Sequence, residues 1–395
     1  MGFRDHPRRL RWRKVLFQIH LWTGIAVGLY LLLIGITGSA LVFREEMEHA
    51  LYHDLMEPSA GAYAEPHPGI VAERLRKQFP DYTLTSVFLP GVEIKSVFAY
   101  LRKDGRYMAA FVDPAGGGVL GTVRQEESFL RWLQDLHFNL LSGATGRIVN
   151  GVGALFLLLL CMTGLVVWWP GIRNWRRGLT VDFSKKWKRV NWDLHSAAGF
   201  WTAVLLLMWA VTGAYCAWPR EFAALVNCFS PVSVAAVPKP DPRAPAPTTP
   251  PPPLDALLAE ARMRSPGAKL AGVVFPASAK GNWVIYMARE AVGEYETTDY
   301  HYFDPRTGKH LAVWRRGLSR STGDVVMGWL GPLHFGNFGG IGLKILWVIL
   351  GLTPPVLFVT GFLMYWNRSL SKKWARWRSA EVMVQPGDQL EAAGD

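Results

Sequence analysis

Hydrophobic residues along the chain are concentrated in four long runs, and two polar stretches of domain size separate them. The runs lie within residues 15–43, 129–169, 191–218 and 326–366 of the 395-residue sequence. A helix needs about 20 predominantly apolar residues to cross a bilayer, so each run predicts one transmembrane helix. In segments 129–169 and 326–366, the pattern predicts a shorter helix on the outer side before the span.

The two polar stretches, residues 44–128 and 219–325, share a pattern of one short helix followed by strands. The first predicts a helix at 70–79 and strands at 83–89, 95–102, 107–112 and 119–123. The second predicts a helix at 254–263 and strands at 271–275, 282–288 and 299–303, after a proline-rich spacer at 231–253. Asp113 and Asp304 each begin an Asp-Pro turn. We therefore expect two small, matching α+β domains.

Basic residues set the expected orientation. They are concentrated in the N-terminal segment 1–14, the loop 170–190 and the tail 367–395. These three segments lie on one side of the membrane if the chain crosses four times, which is the positive-inside pattern. Both termini are then cytoplasmic and both α+β domains lie outside. The formal charge of +12 belongs to this pattern, so we expect a lipid bilayer as partner and no nucleic acid.

One histidine accompanies each span at a repeated distance from a Thr-Gly pair. His20 and His195 each precede such a pair by seventeen residues, at Thr37-Gly38 and Thr212-Gly213. His137 and His334 each precede one by twenty-six residues, at Thr163-Gly164 and Thr360-Gly361. The chain is therefore interpreted as an internal duplication. The expected fold class is an α-helical membrane protein in which two parallel repeats each contain a span, an outer α+β domain and a second span.

The expected depths of the histidines predict how they pair. His20 and His195 each follow a basic residue by six positions and lie toward the inner face, whereas His137 and His334 lie toward the outer face. Parallel repeats are related by an axis along the membrane normal, which places equivalent residues opposite each other. Two opposed histidines in an apolar bundle are what a b-type haem with two axial imidazoles requires. The sequence thus predicts two haems. His20 and His195 are the expected ligands of one haem iron, and His137 and His334 are those of the other.

Other interpretations of these histidines remain open at this point. A lone intramembrane histidine can be a satisfied polar residue or a proton carrier, and a non-haem metal ion is a weaker option. The three cysteines include no CxxCH, so covalent haem attachment is excluded. Arg147 and Lys344 follow His137 and His334 by ten residues, and either contact haem propionates or mark the interface.

A second histidine pattern lies outside the spans. His49 and His53 are four residues apart on one face of a predicted helix, with carboxylates nearby. They are interpreted as the solvated end of an amphipathic helix, with a metal site outside the membrane as the alternative.

Several stretches resemble the PepSY-associated transmembrane family, which includes iron-regulated membrane proteins and ferrisiderophore reductases of bacterial inner membranes. They are RKVLFQIHLWTGI, LHFNLLSGATGRIVNG, VNWDLHSAAGFW, GPLHFG and the two Asp-Pro turns. The resemblance implies four spans in the inner membrane, PepSY-like periplasmic domains, and axial ligands at His20, His137, His195 and His334. It further implies reduction of a ferric siderophore, so that iron is released as Fe(II).

The expected function is therefore that of a di-haem oxidoreductase that passes electrons across the membrane to a periplasmic acceptor, with a ferric siderophore as the expected substrate. No GxGxxG motif leads from a predicted strand into a helix, so the donor is expected to be a quinol or a cytoplasmic reductant. Two alternatives are a sensor or regulatory membrane protein without redox activity and a transporter of iron chelates.

Overall fold

The computed structural model describes residues 10–58, 66–92, 94–233, 237–239, 253–278, 281–292, 297–318, 321–371 and 373–374. The first nine residues, most of the proline-rich spacer and most of the basic tail lie outside this part of the chain. Two compact units are present. The first unit comprises Met1–Val42, Gln134–Pro219 and Leu330–Asp395, and the second comprises Phe43–Leu133 and Arg220–Trp329.

The helices have the following bounds. They are α1 (Arg11–Leu41), α2 (Arg44–Met56), α3 (Pro68–Gln78), α4 (Phe129–Asn139), α5 (Gly143–Trp168), α6 (Trp187–Ala217), α7 (Pro219–Asn227), α8 (Leu254–Arg264), α9 (Thr322–Phe335), α10 (Ile341–Gly351) and α11 (Thr353–Tyr365). The strands are β1 (Thr83–Phe88), β2 (Val97–Lys103), β3 (Arg106–Val112), β4 (Val119–Arg124), β5 (Lys269–Val274), β6 (Trp283–Ala288), β7 (Thr298–Phe303) and β8 (His310–Arg315).

Four helical segments of the first unit are long and apolar enough to cross a membrane: α1, α5, α6 and the segment Ile341–Leu370, which contains α10 and α11. The prediction of four spans is therefore confirmed. Large apolar side chains such as Leu29, Val204 and Ile349 remain exposed on these helices. Exposure of this kind suits a helix whose outward side chains meet lipid and whose backbone hydrogen bonds are all made internally.

The spans form a bundle in which α5 packs against α1 and α6, and α11 packs against the same two helices. Helices α1 and α6 therefore lie diagonally opposite each other. Glycine allows the close contact between α1 and α11, because a Cβ atom at Gly28 would lie 2.0 Å from the Phe358 ring. Small residues at such contacts are typical of membrane helices, which associate through close van der Waals packing.

A short break separates the outer helix from the span in both 129–168 and 322–365. Between α4 and α5, Leu140 and Leu141 adopt positive φ angles of 51° and 57°. Between α9 and α10, Gly336 has a φ of 73°. Within the fourth span, Pro354 and Pro355 stand in the first turn of α11, where the missing backbone N–H groups interrupt no helical hydrogen bond.

The second unit is built on one antiparallel sheet of eight strands in the order β4-β3-β2-β1-β5-β6-β7-β8. The two halves of the sheet meet where β1 pairs with β5, with Val87 opposite Val273 and Phe88 opposite Gly272. Helices α3 and α8 contribute Leu75, Leu257 and Leu258 to the same buried cluster as the inward side chains of the strands.

The expectation of two separate α+β domains is therefore corrected: both α+β halves are present, but they share one sheet and one core. Pairing of β1 with β5 removes the two strand edges that separate domains would leave open. The alternation of apolar residues along a strand shows which face is buried, but not which neighbour its backbone will pair with. Strand β8 was also missed, because its residues are half-buried with little alternation.

The two Asp-Pro turns are confirmed. In the first, the carboxylate oxygens of Asp113 accept hydrogen bonds from the backbone N–H groups of Ala115 and Gly116. In the second, Asp304 Oδ1 accepts hydrogen bonds from the backbone N–H groups of Arg306 and Thr307. These bonds stabilise the turn locally, and they account for both carboxylates without a metal ion.

Candidate histidine sites in the helix bundle

The four span-associated histidines lie in two facing pairs. His20 of α1 faces His195 of α6, with ring centroids 6.4 Å apart and ring planes at 82°. His137 of α4 faces His334 of α9, with centroids again 6.4 Å apart and planes at 51°. Each pair joins one residue from the first half of the chain to the equivalent residue of the second half.

The separation within each pair suits an ion held between the two rings. With metal–imidazole bonds of about 2 Å on each side, two axial imidazoles on one iron have ring centroids about 6 Å apart. Imidazoles hydrogen-bonded directly to each other would lie closer. The residues present therefore fit a haem iron with two histidine ligands at each pair.

Every one of the four histidines is bonded through Nδ1 to a threonine of another helix. The Nδ1···Oγ1 distances are 3.1 Å for His20–Thr163, 2.9 Å for His195–Thr360, 3.0 Å for His137–Thr37 and 2.9 Å for His334–Thr212. The same threonines belong to the Thr-Gly pairs of the repeat. Each bond joins two helices of the same half, whereas each histidine pair crosses between halves.

The threonine bonds define which ring nitrogen carries the proton. Each threonine hydroxyl donates to the backbone carbonyl four residues earlier, as Thr163 does to Leu159 at 2.7 Å and Thr360 to Val356 at 2.7 Å. Thr37 and Thr212 do the same with Leu33 and Met208. Because a hydroxyl has one proton, Oγ1 must accept from Nδ1–H. Nε2 then keeps its lone pair, which is the form of imidazole that binds a metal.

The glycine of each Thr-Gly pair leaves space for the ring. A Cβ atom at Gly38 would lie 2.7 Å from His137 Cε1, and one at Gly164 or Gly361 would lie 3.1 Å from Cε1 of His20 or His195. At Gly213 the corresponding distance to His334 is 3.8 Å, so the requirement is weaker there. The dipeptide thus has two roles: threonine orients the imidazole, and glycine allows it to approach the helix.

A cleft lies between His137 and His334, lined mainly by apolar side chains and glycines, including Leu31, Leu157 and Trp209. Two hydrogen bonds hold the backbone beside these histidines: Asn150 donates to the carbonyl of His137, and Trp347 Nε1 donates to the carbonyl of Leu333 at 3.0 Å. An apolar cleft with two facing imidazoles is the environment that a flat, largely apolar macrocycle requires.

The two basic residues expected near this cleft differ in their surroundings. Arg147 is exposed, whereas Lys344 is buried on α10. Among the described residues that line the cleft, neither is present. Contact of Arg147 and Lys344 with haem propionates therefore stays a prediction.

The threonine partners were not assigned from sequence, although the constant His to Thr-Gly spacing was the signal. That spacing relates residues along the chain, such as His20 and Thr37, whereas the structure bonds His20 to Thr163 and Thr37 to His137. The packing of α1 against α5 brings His20 to Thr163, and the contact of α1 with α4 brings Thr37 to His137. His49 and His53 lie on α2 in the second unit and belong to neither pair.

The fold and these sites define a multi-pass helical membrane protein with two facing histidine pairs in one unit and an eight-stranded sheet in the other. The model of the PepSY-associated TM region matches residues 17–368, nearly the whole chain. The chain belongs to this family, which confirms the resemblance seen in the sequence. It is also similar to the uncharacterized protein PA4219 of Pseudomonas aeruginosa, with 33% identity over 85 residues. That match covers 21% of this chain and 20% of the relative.

Proposed function

We propose that this protein is an inner-membrane di-haem oxidoreductase of the b type that passes electrons across the membrane to a periplasmic acceptor. The observation that carries the proposal is the pair of sites in which two imidazoles face each other at 6.4 Å. In each of them Nδ1 is bonded to threonine, so that Nε2 remains available as a ligand.

His20 and His195 would hold one haem, and His137 and His334 the other. A haem with two axial imidazoles supplies reversible one-electron chemistry at its iron. The protein residues orient the ligands, keep Nε2 unprotonated and surround the His137–His334 cleft with apolar side chains. Non-haem zinc fits less well, because within the described residues no third His, Cys, Asp or Glu groups with either pair.

The proposed orientation places both termini and the loop between α5 and α6 in the cytoplasm. Basic residues described at these positions include Arg11, Arg13 and Lys14 before the first span and Arg368 and Lys373 after the fourth. The loop adds Arg173, Arg176, Arg177, Lys185, Lys186, Lys188 and Arg189. Under the positive-inside rule, the chain consists of two parallel repeats with both halves of the sheet in the periplasm.

The proposed substrate is a ferric siderophore, from which reduction would release Fe(II). This part rests on the family resemblance and on the proposed orientation, which puts the sheet in the periplasm. The proposed electron donor is a quinol or a cytoplasmic reductant, since no GxGxxG motif in the sequence leads from a strand into a helix.

Haem stoichiometry in single histidine variants tests the proposal. We expect two b-type haems per wild-type chain, with the same one lost in His20→Ala and His195→Ala, and the other lost in His137→Ala and His334→Ala. His67→Ala, at a half-buried histidine of the second unit, is the control and should keep both. A haem-sufficient preparation without b-type bands in dithionite-reduced spectra would contradict the proposal.

Reconstituted vesicles then test the acceptor. With a reductant inside and a ferric siderophore outside, an Fe(II)-specific chelator outside should change colour with wild-type protein but not with any of the four histidine variants. Equal rates in the variants would favour a sensor or transporter function instead.

A further inference from the structure

Three metal-ligating side chains converge at the end of α2, far along the chain from the span histidines. His49, His53 and Glu57 each offer a ligand atom, and these atoms all lie within 4.8 Å of one another. His49 Nε2 is 3.3 Å from Glu57 Oε1, and His53 Nδ1 is 3.9 Å from Glu57 Oε2. The two imidazole centroids are 5.2 Å apart.

A regular helix would not bring the first and last of these residues together. Positions 49 and 57 are eight residues apart, which corresponds to roughly 12 Å of helical rise. In α2 the backbone departs from helical geometry at Tyr52 (φ −123°, ψ 25°), and the helix ends at Met56. Glu57 therefore stands in an irregular conformation, with its N–H bonded to the carbonyl of His53, and its carboxylate reaches back to His49.

Solvent access and donor chemistry both suit a metal ion. The exposed fractions of the three side chains are 41% for His49, 56% for His53 and 43% for Glu57. Two imidazole nitrogens and one carboxylate form the donor set of open zinc sites and of non-haem iron(II) sites. Three protein ligands leave coordination positions for water in either case.

We propose that His49, His53 and Glu57 bind one divalent transition-metal ion of the zinc or iron(II) class at the surface of the second unit. This site goes beyond the proposed haem function, because none of the four span histidines contributes to it. It would give the protein a second kind of metal site, outside the membrane and open to solvent.

The internal duplication supports a dedicated role for this cluster. The offset that relates His20 to His195 places Ala224, Cys228 and Val232 at the positions equivalent to His49, His53 and Glu57. Those residues do not form such a donor set. The second half therefore folds without these three ligands. A hydrogen-bonded helix end does not by itself require two histidines.

Metal binding to the full-length, haem-bearing protein tests the proposal. The chain is purified without a polyhistidine tag, stripped with a chelator, and titrated by equilibrium dialysis with Zn(II), with Fe(II) under anaerobic conditions, and with Mg(II). We expect one added Zn(II) or Fe(II) per chain and no Mg(II), since magnesium prefers oxygen ligands. X-ray absorption at the zinc edge, to which the haem irons do not contribute, should show imidazole nitrogen ligands, and the Zn(II) and Fe(II) arms of the dialysis identify which metal is favoured.

Substitutions distinguish a specific metal site from nonspecific attraction of cations. His49→Ala, His53→Ala and Glu57→Gln should each weaken binding by at least the roughly 10–100-fold that loss of an outer partner costs at metal sites. Asp54→Asn removes the same charge as Glu57→Gln from an exposed position on the same helix and should leave affinity within about twofold. Circular dichroism of each variant checks that the fold is retained.

Two results would overturn the proposal. The first is less than stoichiometric binding of both Zn(II) and Fe(II) to wild-type protein. The second is equal weakening in Asp54→Asn and Glu57→Gln, which would indicate nonspecific attraction of cations.

Discussion

At the scale of single residues, the same arrangement occurs four times: an imidazole bonded to a threonine on a neighbouring helix, beside a glycine. A polar ring in an apolar bundle is costly unless it is hydrogen-bonded. The threonine oxygen accepts a hydrogen bond from Nδ1–H. Its own hydroxyl proton is donated to a backbone carbonyl of the same helix as the threonine. The described side-chain hydrogen bonds of these histidines use Nδ1, which leaves Nε2 as the atom for a ligand site.

Thr163→Val tests the orienting role of the threonines. Valine keeps the shape but cannot accept from His20 Nδ1, which lies 3.1 Å from Thr163 Oγ1. We expect haem affinity at this site to fall by roughly 10–100-fold and its midpoint potential to become more positive, because a less basic imidazole donates less electron density to ferric iron. Redox titration monitored by absorbance measures both haems separately.

A matched control is available for that substitution. Thr202 is buried on α6 and donates to the carbonyl of Ala198 at 2.7 Å, with no histidine partner given by the described contacts. Thr202→Val should leave both potentials unchanged. A shift of the same size in both variants would show that the effect comes from helix packing instead of the histidine bond.

Gly38→Ala tests the space beside the second pair. Its Cβ atom would lie 2.7 Å from His137 Cε1, so the ring must move at a cost of roughly 1–3 kcal/mol. We expect loss of the haem held by His137 and His334 and retention of the other, as measured by pyridine haemochrome analysis.

Gly24→Ala is the control on the same helix, because its added Cβ would meet only Leu160, at 3.8 Å. Both haems should remain. If Gly38→Ala also kept two haems with unchanged spectra, the described contact with His137 would not limit the site.

At the scale of elements, the two halves of the sheet differ in their interiors. Ser265, Asp299, His301 and His310 form a connected polar cluster in the second half, in which Ser265 Oγ lies 2.5 Å from Asp299 and 2.9 Å from His301 Nε2. His301 Nδ1 is 3.3 Å from His310 Nε2. Aligning the two Asp-Pro turns and the two helix ends places Phe79, Met108, Ala110 and Val119 at the equivalent positions of the first half. The duplication thus retains the fold, while the buried positions of the first half are apolar and the equivalent positions of the second half are polar.

This cluster predicts that the second half of the sheet is less stable in acid. Burial, and to a smaller extent the neighbouring His310, lowers the pKa of His301 to about 4 from 6.5. Between these values the unfolded chain binds a proton that the folded chain does not. The free energy of unfolding therefore falls as the pH drops through this window, by on the order of 3 kcal/mol in total for this group.

Hydrogen exchange of β7 amides, corrected for intrinsic rates, measures this effect at pH about 7.5 and about 5. Wild-type protection should decrease in acid, and His301→Gln should reduce the decrease. His67→Gln, at a half-buried histidine that caps α3 outside this cluster, should behave like wild type. An unchanged pH dependence in His301→Gln would assign the effect to other groups.

At the scale of the whole molecule, four spans and the distribution of basic residues predict which segments lie on which side. Cys228 follows α7 in the second unit and is exposed, whereas Cys161 is buried in α5. In intact spheroplasts, a membrane-impermeant maleimide should label the wild-type protein, and Cys228→Ser should lose most of this label.

A second cysteine variant tests the opposite side of the membrane. Ser184 is exposed in the basic loop between α5 and α6, and Ser184→Cys in the Cys228→Ser background should react only after permeabilisation. Labelling of this variant in intact spheroplasts would reverse the proposed orientation.

Much of this organisation follows from the sequence alone, because it depends on patterns of neighbouring residues. The length of the apolar runs determines the four spans, and the family match over residues 17–368 agrees with the motifs around His20, His137, His195 and His334. Most strands and both Asp-Pro turns were predictable from residue type, since turn chemistry and alternation act over a few residues.

Contacts between distant segments were decided only by the tertiary structure. The pairing of β1 with β5, which merges two expected domains into one sheet, depends on which strand edges meet. The bond from His20 to Thr163 and the approach of Glu57 to His49 depend on helix packing and on a local departure from helical geometry. A one-dimensional pattern records which residues are apolar, polar or ligating, whereas hydrogen bonds and ligand sets depend on distances that arise only when separate elements pack.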